Sequence, residues 1–183
     1  PGGDTSFVSG GIGKNYKEPG YVGLPHFLME GVPSQGEELQ SEYFVSSHMF
    51  DAVIEVLFHH FEENPKLYDL LYVSEMRFVA GDKLTLSPQH VLGSSIGFHF
   101  TWKKEFDQVI DALKGIENVL KPYNALPHMG KLFTMTGREL EGKYGQRNLR
   151  AFQSFVAPLD PLKKFVNPFL QNLILLPTDK REL

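Results

Sequence analysis

The chain has 183 residues, of which 42% are hydrophobic and 13% aromatic, which is typical of a soluble globular protein with a sizeable core. A net charge of −4 and the lack of basic runs argue against nucleic acid or a membrane surface as a partner. There are no cysteines, which excludes disulfides, thiolate metal sites and cysteine nucleophiles and favours a cytoplasmic location.

The first third of the chain predicts a Gly/Pro-rich segment, a strand and a helix. Residues 1–36 form a Gly/Pro-rich entry segment that is expected to add little core, and its first 23 residues contain no hydrophobic period. A strand is predicted at about Leu39–Val45. A helix over 47–63 follows, capped by Ser46 or Ser47 and ended by Asn64-Pro65.

Two strands, a second helix and a further strand follow. The strands are predicted at Val73–Val79 and Ile96–Trp102, the helix over 104–120 and the last strand around 124–133. The order β-α-β-β-α-β is that of a ferredoxin-like α+β fold, an antiparallel sheet with its helices on one face. Helical segments are expected C-terminal to it. We assign 37–176 to this domain and 177–183 to a tail.

The two central strands predict one polar sheet face. Alternate residues of a strand share a face, so Glu75 lies beside Arg77, and His99 beside Thr101. The other face is apolar, and its residues are Met76, Phe78, Ile96, Phe98, Phe100 and Trp102. Because the two helix stripes need the apolar face, the polar face must be the uncovered one. Gln40 and Glu42 of the first strand can join it. A solvated sheet surface would show the same alternation.

Five motifs, in order along the chain, resemble the C-terminal substrate domain of FAD-linked sugar-alcohol and aldonolactone oxidases, within the vanillyl-alcohol-oxidase-like flavoenzymes. The likeness covers about Leu24 to Leu176 and is greatest to the bacterial alditol (xylitol) oxidase branch. The motifs are Leu39-Gln-Ser-Glu-Tyr-Phe44, Ser74-Glu-Met-Arg77, His99-Phe-Thr-Trp102, Leu126-Pro-His-Met-Gly-Lys-Leu-Phe133 and Leu159-Asp-Pro-Leu-Lys-Lys-Phe-Val-Asn-Pro-Phe-Leu170. One departure is Met129, where the family usually has Trp.

The resemblance implies an oxidase that transfers a hydride from a primary alcohol of a polyol to flavin and reduces dioxygen to hydrogen peroxide. It implies that FAD is held mainly by a separate N-terminal domain. Nothing in this sequence resembles that domain, since Gly10-Gly-Ile-Gly13 lacks the strand and helix of a pyrophosphate loop. The isolated chain is therefore expected to be inactive, with the FAD domain, dioxygen and a polyol or sugar lactone as its partners.

The resemblance also implies roles for individual residues. Arg77, His99 and Lys131 would be catalytic, the two cations polarising hydroxyls and His99 acting as base or alkoxide stabiliser. Substrate would be bound by Gln40, Glu75 and Thr101, and the flavin would be contacted by His128. No metal site is predicted, because the helical pair His59-His60 lacks partner ligands.

Two alternatives stay open. An aldonolactone oxidase acting on arabinono- or gulono-lactone would share the His-Lys motif at His128 and Lys131. A non-catalytic binding module would use the same open sheet face for a partner. The first alternative differs from an alditol oxidase in its substrates, and the second in having no flavin domain upstream.

Overall fold

The computed structural model describes residues 36–175. The chain divides into two units, and nearly all the described residues belong to the second, which begins at Leu39. Within residues 36–175 no helix is both long enough and apolar enough to cross a bilayer.

Four strands form the sheet of the described region, in the order β2-β3-β1-β4. Their bounds are β1 Glu38–Ser46, β2 Leu71–Val79, β3 Ser95–Lys103 and β4 Leu126–Pro127. Strand β2 pairs antiparallel with β3, and β1 pairs antiparallel with β4. The sequential neighbours β1 and β2 are separated by β3, which is the split βαβ arrangement. The α+β class predicted from the sequence is confirmed.

Seven α-helices accompany these strands within residues 36–175. They are α1 Phe50–Glu63, α2 Lys66–Leu70, α3 Pro88–Leu92, α4 Phe106–Leu120, α5 Gly137–Tyr144, α6 Gln146–Leu159 and α7 Pro168–Leu173. Two short 3-10 turns, Ser47–Met49 and Lys121–Tyr123, flank α1 and α4. The C-terminal helices follow the predicted plan, and Thr136 and Glu139 form a capping box at the start of α5.

Helices α1 and α4 cover one face of the sheet. Phe61 of α1 stacks against Phe100 and Trp102 of β3, with ring centroids 5.9 and 6.5 Å apart. The Trp102 indole N–H donates to the Ser41 hydroxyl at 2.9 Å, so the one polar atom of that ring is satisfied inside the core. The Tyr43 hydroxyl of β1 donates to Glu117 of α4 at 2.7 Å. Both helices therefore lie on the predicted apolar face.

Two local expectations were wrong, and both concern the ends of elements. Ser46 makes no capping hydrogen bond, since the chain enters α1 through a 3-10 turn and Met49. The strand expected around 124–133 pairs only at Leu126–Pro127. Beyond it, the His128 and Leu132 N–H groups donate to the Glu42 and Gln40 carbonyls, and this irregular segment still follows β1.

Strand β2 is less buried than the other long strands of the sheet. Met76 and Phe78 point to the apolar side of the sheet, as predicted, but remain 51% and 75% exposed. Strand β2 lies at the edge of the sheet, so the two helices cover β1 and β3 more fully. Alternation predicted the side of each residue but not its burial.

Candidate functional site

The strand register places the predicted polar residues on one face. Glu75 of β2 lies directly opposite His99 of β3, and Arg77 lies opposite Gly97. Opposed residues of an antiparallel pair share a face, so the Glu75–Arg77 pair and the His99–Thr101 pair lie on the same side. That side is opposite to the residues packed against α1 and α4. The predicted clustering on one face is confirmed.

A buried carboxylate lies at the centre of this face. Glu42 of β1 is 3% exposed and contacts two cations. The Arg77 Nη1 group donates to both carboxylate oxygens at 3.0 Å. The Lys131 ammonium donates to Oε2 at 2.5 Å. Arg77 also donates to Glu75 at 2.5 Å. Burial of a carboxylate is tolerable here because it is paired with charged donors.

The ring of His99 joins the same cluster. Its Nδ1 lies 2.7 Å from Lys131 Nζ and 3.3 Å from Arg77 Nη1, and its Nε2 lies 3.0 Å from Thr101 Oγ1. Ammonium and guanidinium groups can only donate, and Glu42 Oε2 lies 3.5 Å from Nδ1, beyond the usual hydrogen-bond distance, so Nδ1 accepts. This donor count assigns the neutral Nε2–H tautomer, whose N–H donates to Thr101. In this tautomer the Nδ1 lone pair of His99 is already engaged.

The surroundings of Glu42 keep it ionised. Burial by itself raises the pKa of a carboxyl group, but the hydrogen bond from Lys131 and the charges of Lys131 and Arg77 lower it by more. The result is a Glu42 pKa of about 2, against an ordinary value of 4.5. The carboxylate therefore stays charged at any physiological pH.

Gly97 makes the space in which the Glu42 carboxylate lies. A Cβ atom added at Gly97 would come within 2.8 Å of Glu42 Oε1 and 2.9 Å of the Phe44 ring. Those separations are too short for any side chain, so β3 needs glycine at this position while β1 carries glutamate and phenylalanine beside it. The position of the Glu42 carboxylate thus depends on residues of both β1 and β3.

A cleft of about 520 Å³ adjoins the cluster at Lys131, and its wall consists of Gln40, Met129, Gly130, Lys131, Leu132 and Phe169. Gln40 does not enter the ion-pair cluster itself. Its carbonyl accepts the Leu132 N–H at 2.8 Å, and this bond ties β1 to the segment that carries Lys131. Gln40, Lys131 and Met129 therefore line one continuous concave surface.

His128 lies beside the cluster rather than in it. Its Nδ1 accepts the Gly130 N–H at 3.0 Å, and its ring stacks on Phe44 with centroids 6.1 Å apart. Burial and the Lys131 charge lower the pKa of His128, and so it is neutral at pH 7. These contacts explain why the ring is fixed, and the flavin contact expected of it stays a prediction.

Glu42 joins the site residues together, yet the sequence did not predict a functional role for it. The alternation along β1 placed it on the correct face, but no spacing rule shows that Arg77 and Lys131, 35 and 89 residues away, converge on one carboxylate. The available signal was a glutamate and a glycine at neighbouring positions of adjacent strands. This signal can be interpreted only when β1 and β3 are known to be neighbours in the sheet.

The arrangement suits alcohol chemistry in general. Arg77 is 43% exposed and Lys131 15% exposed, and each keeps N–H groups beyond those used inside the cluster. Such donors can bind hydroxyl or carbonyl oxygens and stabilise negative charge on them. Within residues 36–175 no three histidine, aspartate or glutamate side chains are grouped to hold a metal ion. The polar face offers the Arg77 guanidinium and the Lys131 ammonium as its electrophilic groups.

Comparison with known proteins agrees with the resemblance seen in the motifs. The sequence model of the family described as "ALO: D-arabinono-1,4-lactone oxidase" matches residues 27–173. An alditol oxidase from a Streptomyces species is 35% identical over 157 residues, which is 85% of this chain. The chain spans only 36% of the length of that relative. The match to the family model covers most of the chain and contains every element of the sheet, and on this basis the chain belongs to the D-arabinono-1,4-lactone oxidase family.

Proposed function

We propose that this chain is the substrate-binding part of an FAD-dependent oxidase that oxidises a primary alcohol of a sugar alcohol. The observation that supports this most directly is the convergence of Arg77, Lys131 and His99 around buried Glu42 on the open face of the sheet, with Thr101 hydrogen-bonded to His99. The name of the Streptomyces relative, alditol oxidase, favours a polyol as the substrate.

The described residues fit one end of the cofactor. The cationic face suits the reacting end of a flavin and an alcohol beside it. In residues 36–175 no Gly-rich loop lies between a strand and a helix to hold a pyrophosphate. We assign most of the FAD contacts to another domain of the whole oxidase, since this chain spans only 36% of the length of its alditol oxidase relative. The flavin ring would be contacted, in this chain, by Arg77, Lys131 and His128.

When bound, FAD supplies the acceptor for the hydride and the route by which dioxygen becomes hydrogen peroxide. The net reaction converts an alcohol and dioxygen to an aldehyde and hydrogen peroxide. In this chain, Lys131 and Arg77 donate hydrogen bonds to the substrate oxygen, which gains negative charge as its proton leaves. His99 either takes that proton or stabilises the oxygen indirectly, through the Thr101 hydroxyl to which its Nε2–H donates. Its Nδ1 can accept a proton only when Lys131 moves away or gives up a proton itself.

The remaining hydroxyls of a polyol need several hydrogen bonds. Glu75 is 43% exposed, so its carboxylate can accept them, and Thr101 and Gln40 can contribute donors. The cleft between Gln40 and Phe169 has the size of a small-molecule site and begins at Lys131. A polyol with its reacting end at Lys131 would extend into this cleft.

A second candidate is an aldonolactone oxidase, because the matching family model carries the description D-arabinono-1,4-lactone oxidase. The experiment that separates the two measures hydrogen peroxide release by the intact oxidase with xylitol or sorbitol and with arabinono- or gulono-lactone. Higher kcat/KM on the polyols supports the alditol assignment. Higher kcat/KM on the lactones would replace it, and no peroxide with either class would reject both.

A further inference from the structure

We infer that Glu42 is a positioning residue that orients the Thr101 hydroxyl as a donor to substrate, through a directed chain of hydrogen bonds from Lys131 to His99 to Thr101. This inference rests on the proposed function only in naming a substrate oxygen as the final acceptor. The direction of the chain follows from the donors and acceptors of the side chains themselves.

The first two links begin at the Lys131 ammonium, which carries three donors and no acceptor. It donates to Glu42 Oε2 at 2.5 Å and to His99 Nδ1 at 2.7 Å. Glu42 holds the ammonium on one side, so a second N–H is aimed at the imidazole ring. The geometry of Lys131 is therefore set by the carboxylate.

The next link follows from the tautomer. With Nδ1 accepting, His99 carries its proton on Nε2 and donates to Thr101 Oγ1 at 3.0 Å. The Thr101 hydroxyl accepts that bond and must direct its own proton elsewhere. Thr101 lies half-buried on the open face, so an oxygen bound there would receive the proton as a hydrogen bond. The hydroxyl is thereby a donor, although either direction is open to an isolated threonine.

Glu42 sets the direction of this hydrogen-bond chain because it neutralises Lys131 and Arg77, two cations that contact the same acceptor, His99 Nδ1. Arg77 Nη1 lies 3.3 Å from His99 Nδ1, on the same nitrogen that Lys131 contacts. Without a carboxylate between them, the two charges repel. Arg77 stays paired with Glu75 at 2.5 Å, so Lys131, which loses its carboxylate partner, is the one able to move away. His99 would then lose the donor that fixes its tautomer.

The test is nitrogen NMR of this 183-residue chain labelled with ¹⁵N-histidine, since two-bond couplings distinguish the two neutral tautomers from imidazolium. His99→Gln identifies the His99 signals. We expect the Nε2–H pattern at neutral pH in the parent chain and a mixture containing the Nδ1–H tautomer in Glu42→Gln. An Nδ1–H or imidazolium pattern in the parent, or an unchanged pattern in Glu42→Gln, would overturn the inference.

The matched control is Glu117→Gln. Glu117 accepts from Tyr43 and from the Thr134 N–H and hydroxyl, all neutral donors on the helix-covered side of the sheet. Its loss should perturb stability while leaving the His99 pattern as in the parent, and an equal change in both variants would show that the Glu42 effect is merely structural. If Glu42→Gln does not fold, Glu42→Asp withdraws the carboxylate by one methylene with the charge retained. It should give a partial tautomer change, and no change would count against the inference.

Turnover of the intact oxidase separates this inference from the proposed function. Glu42→Gln should lower kcat for polyols by about tenfold or more, and Thr101→Ser should retain most of the activity that Thr101→Val loses. If the NMR results hold but polyols and lactones give no peroxide, the proposed function fails and the ordered chain stands. If polyols are oxidised but Glu42→Gln leaves the His99 tautomer unchanged, the ordered chain fails and the function stands.

Discussion

Glu42 and Tyr43 are neighbours on β1, yet they face opposite sides of the sheet and meet opposite kinds of partner. Tyr43 reaches Glu117 among neutral donors, which also include both polar groups of Thr134. Glu42 contacts two cations and lies 3.5 Å from an imidazole nitrogen. A carboxylate held by neutral donors links the segments that contribute them. A carboxylate held by cations positions side chains whose remaining N–H groups can bind another molecule.

The same contrast holds for the two faces as a whole. The covered face brings aromatic rings from α1 and β3 into a continuous stack. The open face concentrates its charge in one cluster, and two of its members, Glu75 and Arg77, stay 43% exposed. We expect changes on the covered face to alter folding stability and changes on the open face to alter turnover, with buried Glu42 affecting both. Four measurements can test this distinction.

The largest effect is expected for Lys131→Ala in the intact oxidase. The ammonium interacts more strongly with a developing alkoxide than with a neutral alcohol, so kcat should fall by about two to four orders of magnitude. Lys114→Ala is the control, because Lys114 makes only an exposed ion pair with Asp111 on α4. Steady-state peroxide release measures both. If the Lys131 variant kept the parental kcat, the open face would be a solvated sheet surface without a catalytic role.

Phe61→Ala should show the opposite behaviour. Removing a ring that stacks on Phe100 and Trp102 should lower the free energy of unfolding by about 3–5 kcal/mol. Phe58→Ala, on the same helix but 62% exposed, should cost less than about 1 kcal/mol. Urea unfolding of this chain measures the difference. Similar losses for both variants would contradict the assignment of the covered face as the stabilising one.

The sequence predicted the fold and the polar face well for identifiable reasons. Helical stripes ending at Asn64-Pro65 and at Leu120 are local signals, as is the period-two alternation of β2 and β3. Given the β-α-β-β-α-β order, the helices had to pack on the apolar side. Arg77 and His99 could therefore be placed on the same face from the sequence alone.

What the sequence could not predict depends on neighbours distant in the chain. The shortness of β4 reflects a segment that follows β1 by two isolated backbone bonds instead of a regular ladder. The exposure of Phe78 depends on its edge position, and the central role of Glu42 depends on three strands and a loop meeting. None of these has a signature in local periodicity.

Lowering the pH should destabilise the folded chain by protonating the Glu42 carboxylate. Its pKa is about 2 in the folded chain against 4.5 ordinarily, so its stabilising contribution is complete above pH 4.5 and is lost as the pH falls toward 2. The shift corresponds to about 3 kcal/mol at neutral pH. The stability difference between the parent chain and Glu42→Gln should thus shrink over this interval in urea unfolding at several pH values. A difference that stays constant from about pH 7 down to about pH 2 would show that the carboxylate is not held by the cations.

The smallest effect is expected for Gln40→Ala, because Gln40 lies outside the ion-pair cluster and lines the adjoining cleft. Loss of one hydrogen bond to a neutral substrate hydroxyl costs about 1 kcal/mol, which corresponds to about a fivefold rise in KM. The kcat should stay near the parental value, since this bond is made equally in the ground state and the transition state. Gln108→Ala, at an exposed position on α4, is the control and should change neither constant. A fall in kcat with unchanged KM would place Gln40 among the residues that act on the reacting oxygen, and the boundary of the catalytic cluster would then have to extend along β1 to include it.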